Sequence, residues 1–292
     1  MVELQAVGVN FTDVYTRSGL VRPPEFPWIP GLEGAGVVAA LGDGVTEVAV
    51  GDLVAFTSAP GSYAQRVAVP AHHLVRLPAG MDVETAAAAM LQGMTAHYLC
   101  RSISPVKDGV SVLVHAGAGG VGLLLIQMVK QLGGYVFATV STEEKVSLAK
   151  EAGADRTINY TSEDFQKEVS RATDGQGVGV VYDSVGRTTF HQSLACLSPR
   201  GYLILYGQSS GHVEPVAPYL LNSGSLFLTR PTLVNYIATR EELLQRAEEL
   251  FCWIQRGELK LHIGGRFPLS AAAEAHRQLE GRKTTGKLLL IP

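Results

Sequence analysis

The spacing of apolar and polar positions divides the chain into three parts. Up to about residue 94, short β-type runs alternate with glycine turns: GVVAALGDG, GDLVAF, GSYAQRVAVP and LVRLP. Short strands between close turns predict a compact, barrel-like β domain. Asp82 then stands where a helix N-cap belongs, ahead of VETAAAAML. Between residues 110 and 230 the runs VSVLVH, YVFATV, RTIN, GVGVVYDS, GYLILYG and GSLFLTR are mostly apolar. Helical segments such as LLLIQMVKQLGG and STEEKVSLAKEAGA separate several of them. Alternating strands and helices predict a parallel α/β sheet covered on both faces, and six strands fit the doubly wound Rossmann arrangement. Beyond Pro231, REELLQRAEELFCWIQRGEL reads as a long amphipathic helix, followed by short strands and a final LLLIP.

Composition bounds this picture. The chain has 292 residues, 46% hydrophobic and 17% charged, enough for one large or two ordinary domains. A net charge of −3 supplies no field that would draw the protein to nucleic acid or to an anionic membrane. The run LLLIQMV breaks at Lys130, too short for a membrane span, and MVELQAVGVNF lacks the features of a signal peptide. Three scattered cysteines, Cys100, Cys196 and Cys252, argue for a reducing compartment, the cytoplasm, and against a disulfide framework.

The first chemistry-bearing motif is HAGAGGVG, residues 115–122, with Gly117, Gly119, Gly120, Val121 and Gly122. A strand precedes it, a helix follows, and a second strand comes next, which is the context of a dinucleotide-binding turn. Glycine permits the tight turn and lets a pyrophosphate approach bare backbone, while the helix N-terminus favours the anion. The second strand ends in VSTEEK. An NAD enzyme places an acidic residue there for the ribose 2′-hydroxyl. This chain offers Ser141, Thr142 and, one helical turn on, Lys145. Hydroxyl donors and an ammonium suit the 2′-phosphate of NADPH. Glu143 and Glu144 favour the helix N-terminus instead.

HAGAGGVG, NFTDVYTRSG, YDSVGR, GSLFLTRP and TTGKLLLIP together resemble the zinc-independent, zeta-crystallin-like quinone oxidoreductases of the medium-chain dehydrogenase/reductase superfamily. The resemblance spans essentially the whole chain. It implies a GroES-like β-barrel catalytic domain made from residues 1–94 and 232–292, with an NADP-binding Rossmann domain, residues 95–231, inserted between them. Members of the family usually carry a further N-terminal piece ahead of a segment like VELQAVGVNF.

Zinc alcohol dehydrogenases of the same superfamily have a cysteine where this chain has Asn10 and a histidine where it has Leu32. Catalytic zinc takes three ligands from Cys, His and carboxylate, so no metal is expected. The neighbours His72 and His73, read as strand residues, would point to opposite faces at the surface. A quinone needs no Lewis acid, because its hydride adduct is a phenolate-like anion with a pKa of about 10 that water can protonate. The resemblance implies active-site roles for Asn10, Asp13, Tyr15, Tyr63 and Thr95, with Asp13 equally readable as a cap residue. It implies cofactor contacts for Asn10, Tyr160, Ser184, Gly207, Phe227, Leu228 and Lys287, although a lone lysine near a C-terminus is ordinarily solvated. It further implies a homodimer paired through the edge strand GSLFLTR and the PTLVNY segment. The substrate expected is a quinone or a related electron-poor molecule. Two other roles remain open. One is NADPH-dependent reduction of a carbon–carbon double bond conjugated to a carbonyl. The other is a non-catalytic crystallin or RNA-binding role, against which the acidic charge weighs.

Overall fold

The computed structural model describes residues 1–23, 25–103 and 106–292. The chain forms two compact units, one of Met1–Thr95 with Leu233–Pro292 and the other of Ala96–Thr232.

The elements of the first unit begin with β1 (Val2–Val9), α1 (Phe11–Arg17), β2 (Glu33–Val38), β3 (Leu53–Thr57), β4 (Arg66–Val67), β5 (Val75–Arg76) and α2 (Val83–Tyr98), whose last residues, from Ala96, belong to the second unit. Asp82 caps α2 as expected, its Oδ2 accepting the Thr85 N–H at 2.8 Å. The second unit holds β6 (Ser111–Val114), α3 (Gly120–Gln131), β7 (Tyr135–Val140), α4 (Glu143–Glu151), β8 (Arg156–Asn159), α5 (Phe165–Ala172), β9 (Val178–Asp183), α6 (Phe190–Ala195), β10 (Leu197–Leu205) and β11 (Phe227–Thr229). The chain then returns to the first unit with α7 (Arg240–Gln255), β12 (Ile263–Pro268), α8 (Ala272–Glu280) and β13 (Lys287–Ile291).

In the second unit all five strand pairings are parallel, in the order β11-β10-β9-β6-β7-β8. The chain starts at β6 in the middle, builds one side through β8, then crosses to β9. The switch point therefore lies between β6 and β9, where α/β sheets bind ligands beyond their carboxyl ends. Leu113, Phe137, Ile158, Val181 and Leu203, one from each of five strands, share one core. Each such burial contributes about 1.5–3 kcal/mol.

In the first unit β13 pairs with β1 antiparallel, Val7 opposite Leu290, and β12 pairs with β13 in parallel. Val2, Leu4, Val7 and Val9 of β1 pack with Phe56, Leu288 and Leu290. The last segment of the chain thus completes the sheet that its first segment begins.

Two expectations are corrected. The strand in GSYAQRVAVP shrinks to the two residues of β4. His72 and His73 lie in a 3₁₀ turn, Ala71–His73, with ring centroids 4.4 Å apart, instead of alternating along a strand. Pro70 immediately precedes that turn; it lacks the N–H that would continue a ladder.

Candidate active site

In the second unit β6 runs out at Val114, and Ala116 adopts a positive φ of 52° before the glycines. Gly119 caps α3, whose first residue is Gly120 and whose first turn includes Val121 and Gly122. A Cβ on Gly122 would collide with the Ala116 carbonyl oxygen and lie 3.0 Å from Gly117 Cα. A Cβ on Gly117 would stand 2.8 Å from the Ala138 Cβ. This bare turn at a helix N-terminus fits a dinucleotide pyrophosphate.

Within this unit the other predicted contacts lie on strands of the sheet or past their ends, whereas Asn10 and Lys287 belong to the first unit. Ser141 and Thr142 follow β7, and Thr142 caps α4, its hydroxyl oxygen accepting the Lys145 N–H at 3.3 Å. Tyr160 follows β8 and is 39% exposed. Ser184 follows β9, and a Cβ on Gly207, beyond β10, would come within 2.5 Å of the Ser184 carbonyl oxygen. Phe227 and Leu228 sit on the edge strand β11, where the Phe227 ring stacks on Tyr202 with centroids 4.5 Å apart and 9° between planes.

A buried polar line ties these strand ends together. His115 Nδ1 lies 3.0 Å from Thr139 Oγ1, and its Nε2 lies 3.0 Å from Ser193 Oγ. Ser193 donates to Asp183 Oδ2 at 2.9 Å, so its oxygen receives the hydrogen on Nε2. Thr139 then donates to Nδ1, and the ring is neutral. Asp183 also accepts from Thr189 at 2.7 Å and from the Val185 and Gly186 N–H groups at 2.8 and 3.0 Å. Burial holds the His115 pKa below its ordinary 6.5, against the opposing charge of Asp183. The folded protein therefore binds fewer protons here than the unfolded chain. This contribution to stability is complete above about pH 6.5 and is lost as pH falls below it. The thermal midpoint should drop between pH 8 and pH 5, and His115→Asn should show a smaller drop from a lower starting midpoint. An unchanged drop in the variant would dissociate His115 from the effect.

The first unit gathers a second constellation. Asn10 caps α1 at the end of β1, and Asp13 Oδ2 accepts the Asn10 N–H at 2.9 Å. Asp13 is thus the cap residue that its position allowed, and it does more. The Tyr63 hydroxyl donates to the same Oδ2 at 3.1 Å and lies 2.9 Å from His276 Nε2. Asn10 Nδ2 donates to Glu33 Oε1 at 2.6 Å, and Asn10 Oδ1 accepts from Lys287 Nζ at 2.9 Å. Lys287 also forms an ion pair with Glu33 Oε1, while Glu33 Oε2 accepts the Leu91 N–H at 2.6 Å.

Lys287 is not the solvated lysine its sequence position suggested. It is 1% exposed and Glu33 is 0% exposed, so each charge is compensated only by its partner and the surrounding hydrogen bonds. Gly8 makes room for this: a Cβ there would lie 2.5 Å from Glu33 Cδ and 2.7 Å from its Cγ. Tyr15 lies further along α1 with its ring 5.9 Å from Phe11, and Thr95 is buried in α2.

Burial raises the Asp13 carboxyl to about 6, against the lowering effects of the Asn10 N–H, Tyr63 and Lys287. Burial and then the Asp13 charge push the Tyr63 hydroxyl well above its usual range. Burial, followed by Arg17, lowers the His276 pKa. Glu33 and His276 are the members that sequence reasoning missed. Glu33 stands in GLEG beside Leu32, and a lone histidine in AEAHRQ carries no local signal. Among the described residues no group of three or more His, Cys, Asp or Glu side chains is arranged to hold a metal ion.

Fold and site define a class, the medium-chain dehydrogenase/reductases. The alcohol dehydrogenase GroES-like domain family matches residues 1–79, and the zinc-binding dehydrogenase family matches residues 120–253. The quinone oxidoreductase of Pseudomonas aeruginosa is 46% identical over 293 residues, spanning 100% of this chain and 90% of that protein. A 2-haloacrylate reductase from a Burkholderia species is 42% identical over 295 residues, spanning 98% of this chain and 89% of that protein. The crystal structure of Escherichia coli quinone oxidoreductase complexed with NADPH matches with a TM-score of 0.97 at 44% identity, covering 100% of this chain and 90% of that one. The chain belongs to the quinone oxidoreductase family of the medium-chain dehydrogenase/reductases.

Proposed function

We propose that this protein is an NADPH-dependent reductase that transfers hydride to quinones without a metal. The observation that carries the reading is the bare turn at Gly117–Gly122 above a doubly wound sheet, followed at the next strand end by Ser141 and Lys145 in place of an acid. NADPH, when bound, supplies the hydride. The protein binds, orients and partly desolvates the reactants. The α3 N-terminus and the glycine backbone hold the pyrophosphate. Ser141, Thr142 and Lys145 hold the 2′-phosphate, and Tyr160, Ser184, Gly207, Phe227 and Leu228 complete the cofactor side. Asn10 and Lys287, locked to Glu33, set the floor of the catalytic unit, and Asp13, Tyr15, Tyr63 and Thr95 line the acceptor side. Turnover of NADPH against a panel of quinones, in the presence of a chelator, tests the reading. Loss of activity on chelation, with recovery on added zinc, would overturn it.

A second reading, reduction of a carbon–carbon double bond conjugated to a carbonyl, is favoured by the resemblance to 2-haloacrylate reductase. It uses the same hydride chemistry.

Lys145→Ala should raise the KM for NADPH at least tenfold and leave the KM for NADH nearly unchanged, since only NADPH carries the phosphate that the ammonium meets. Equal changes for both cofactors in steady-state kinetics would refute the assignment. The edge strand β11 also supports a homodimer in which two copies pair through this strand, because an open edge invites a partner and a two-fold contact lets one strand serve both. Light scattering at micromolar concentration should give twice the 31.1 kDa chain mass, and Leu228→Pro should give a monomer.

A further inference from the structure

His115, Thr139, Asp183 and Ser193 are all buried, the first three at the carboxyl ends of β6, β7 and β9 and Ser193 in α6. None of them is among the cofactor contacts, yet they hold the segments that are. The His115 N–H donates to the Tyr182 carbonyl at 3.0 Å, and the Thr139 carbonyl accepts the Gly117 N–H at 2.9 Å. Thr139 thus meets the His115 ring with its hydroxyl and grips the turn after His115 with its carbonyl. The Asp183 carbonyl accepts the Tyr206 N–H at 2.9 Å and the Gly207 N–H at 3.3 Å, and its carboxylate holds the Val185 and Gly186 N–H groups. Thr139 therefore anchors the turn after β6, and Asp183 anchors the turns after β9 and β10.

The His115 ring joins these two anchors. Asp183 Oδ1 takes two backbone N–H groups, and Oδ2 takes the Thr189 and Ser193 hydroxyls. The Ser193 hydrogen is committed there, so its oxygen accepts from His115 Nε2, and Nδ1 accepts from Thr139. Each hydrogen has one place, and a buried network satisfied in one way rigidifies what it joins. The Phe165 ring of α5 meets the imidazole edge to face, with centroids 4.8 Å apart and 81° between planes.

We propose that His115, Thr139, Asp183 and Ser193 act together as positioning residues for NADPH, setting the glycine turn after β6 in register with the turns after β7, β9 and β10. The proposal rests on the reading of Gly117–Gly122 as the pyrophosphate turn. None of the four needs to touch the cofactor, because each acts through the backbone that it holds. Removing the Thr139 hydroxyl deprives Nδ1, a buried acceptor, of its donor, a costly state that the ring relieves by shifting. Ala116 and Gly117 follow that ring in the chain, and Ala116 sits at a positive φ of 52°, where a non-glycine residue has little latitude. A shifted ring therefore alters the backbone that the anion approaches. A network that served folding alone would leave the affinity of the folded protein untouched.

The test is fluorescence titration with NADPH, well below the thermal midpoint, on variants whose folding is checked by circular dichroism. Thr139→Val keeps the side-chain shape and loses the hydroxyl, and its dissociation constant for NADPH should rise about fivefold or more. Thr139→Ser keeps the hydroxyl and should stay within about twofold of the unmodified protein. Ser193→Ala should weaken binding about fivefold, through the other nitrogen of the ring. Because both act through one imidazole, Thr139→Val combined with Ser193→Ala should fall well short of the product of the two single effects. Val169→Ala, in the core packing of α5 and outside these hydrogen bonds, should lower the thermal midpoint and leave NADPH affinity unchanged. The proposal is overturned if Thr139→Val loses stability but no affinity, if Thr139→Ser binds as weakly as Thr139→Val, or if the combined effect equals the product. Should Ser193→Ala fail to fold, the two Thr139 variants decide. An unmodified protein that binds no NADPH refutes the reading of the turn itself, and the proposal with it.

Discussion

Glu33→Gln, with Lys287 left in place, is expected to lower the unfolding free energy by about 3–5 kcal/mol. Both members of this pair are removed from water, Lys287 at 1% and Glu33 at 0% exposure. Taking away the carboxylate strands an ammonium in the interior, where Asn10 Oδ1 is its one other partner among the described residues. The Leu91 N–H keeps an amide oxygen in place of a carboxylate oxygen, so most of the loss comes from the uncompensated charge. The double substitution Glu33→Gln with Lys287→Met should recover much of that loss, since it removes both charges together. The exposed pair Arg17–Glu280, at 42% and 39% side-chain exposure, is the contrast: Arg17→Met should cost about 0–1 kcal/mol. Urea unfolding of the four proteins decides the matter. A Glu33→Gln loss below about 1 kcal/mol would mean that the pair does not hold this unit together.

Gly122→Ala is expected to raise the dissociation constant for NADPH at least 100-fold, equivalent to about 2.7 kcal/mol, while costing about 1–3 kcal/mol of stability. The added methyl has no space. It would meet the Ala116 carbonyl oxygen and the Gly117 backbone, so the turn must open where an anion is to approach. Ala116 already holds a left-handed φ of 52°, and its carbonyl oxygen cannot turn away without losing the Gly119 N–H that it accepts at 2.9 Å. Gly42→Ala serves as the control, because a Cβ there meets nothing within 4 Å. Fluorescence titration with NADPH, set beside the thermal midpoint of each variant, separates lost binding from lost folding. Unchanged NADPH affinity in a folded Gly122→Ala protein would refute the role of this turn.

Much of the second unit was legible because its signals are local. YVFATV and RTIN appear as β7 and β8 over the same residues, and HAGAGGVG lies between a strand and a helix as its context required. Strand periodicity, glycine spacing and the hydroxyls after β7 are all properties of a few consecutive residues. The boundaries were less legible. GYLILYG marks only the end of β10, which begins at Leu197, and GSLFLTR shortens to the three residues of β11. Pairing partners set where a strand starts and stops, and those partners lie elsewhere in the chain.

By itself the sequence determined the parallel α/β character of residues 110–230, the dinucleotide turn, the lack of an acid after β7, and Asn10 and Leu32 where zinc relatives carry ligands. Each follows from residue type and short-range spacing. Only the tertiary structure decided that β13 completes the sheet begun by β1, that Lys287 is buried against Glu33 254 positions away, and that His276 meets Tyr63 across 213 positions. A charge is buried or solvated according to what faces it, and a histidine gains a role only from its partner. That information resides in contacts between distant segments, so no local pattern in the chain carries it.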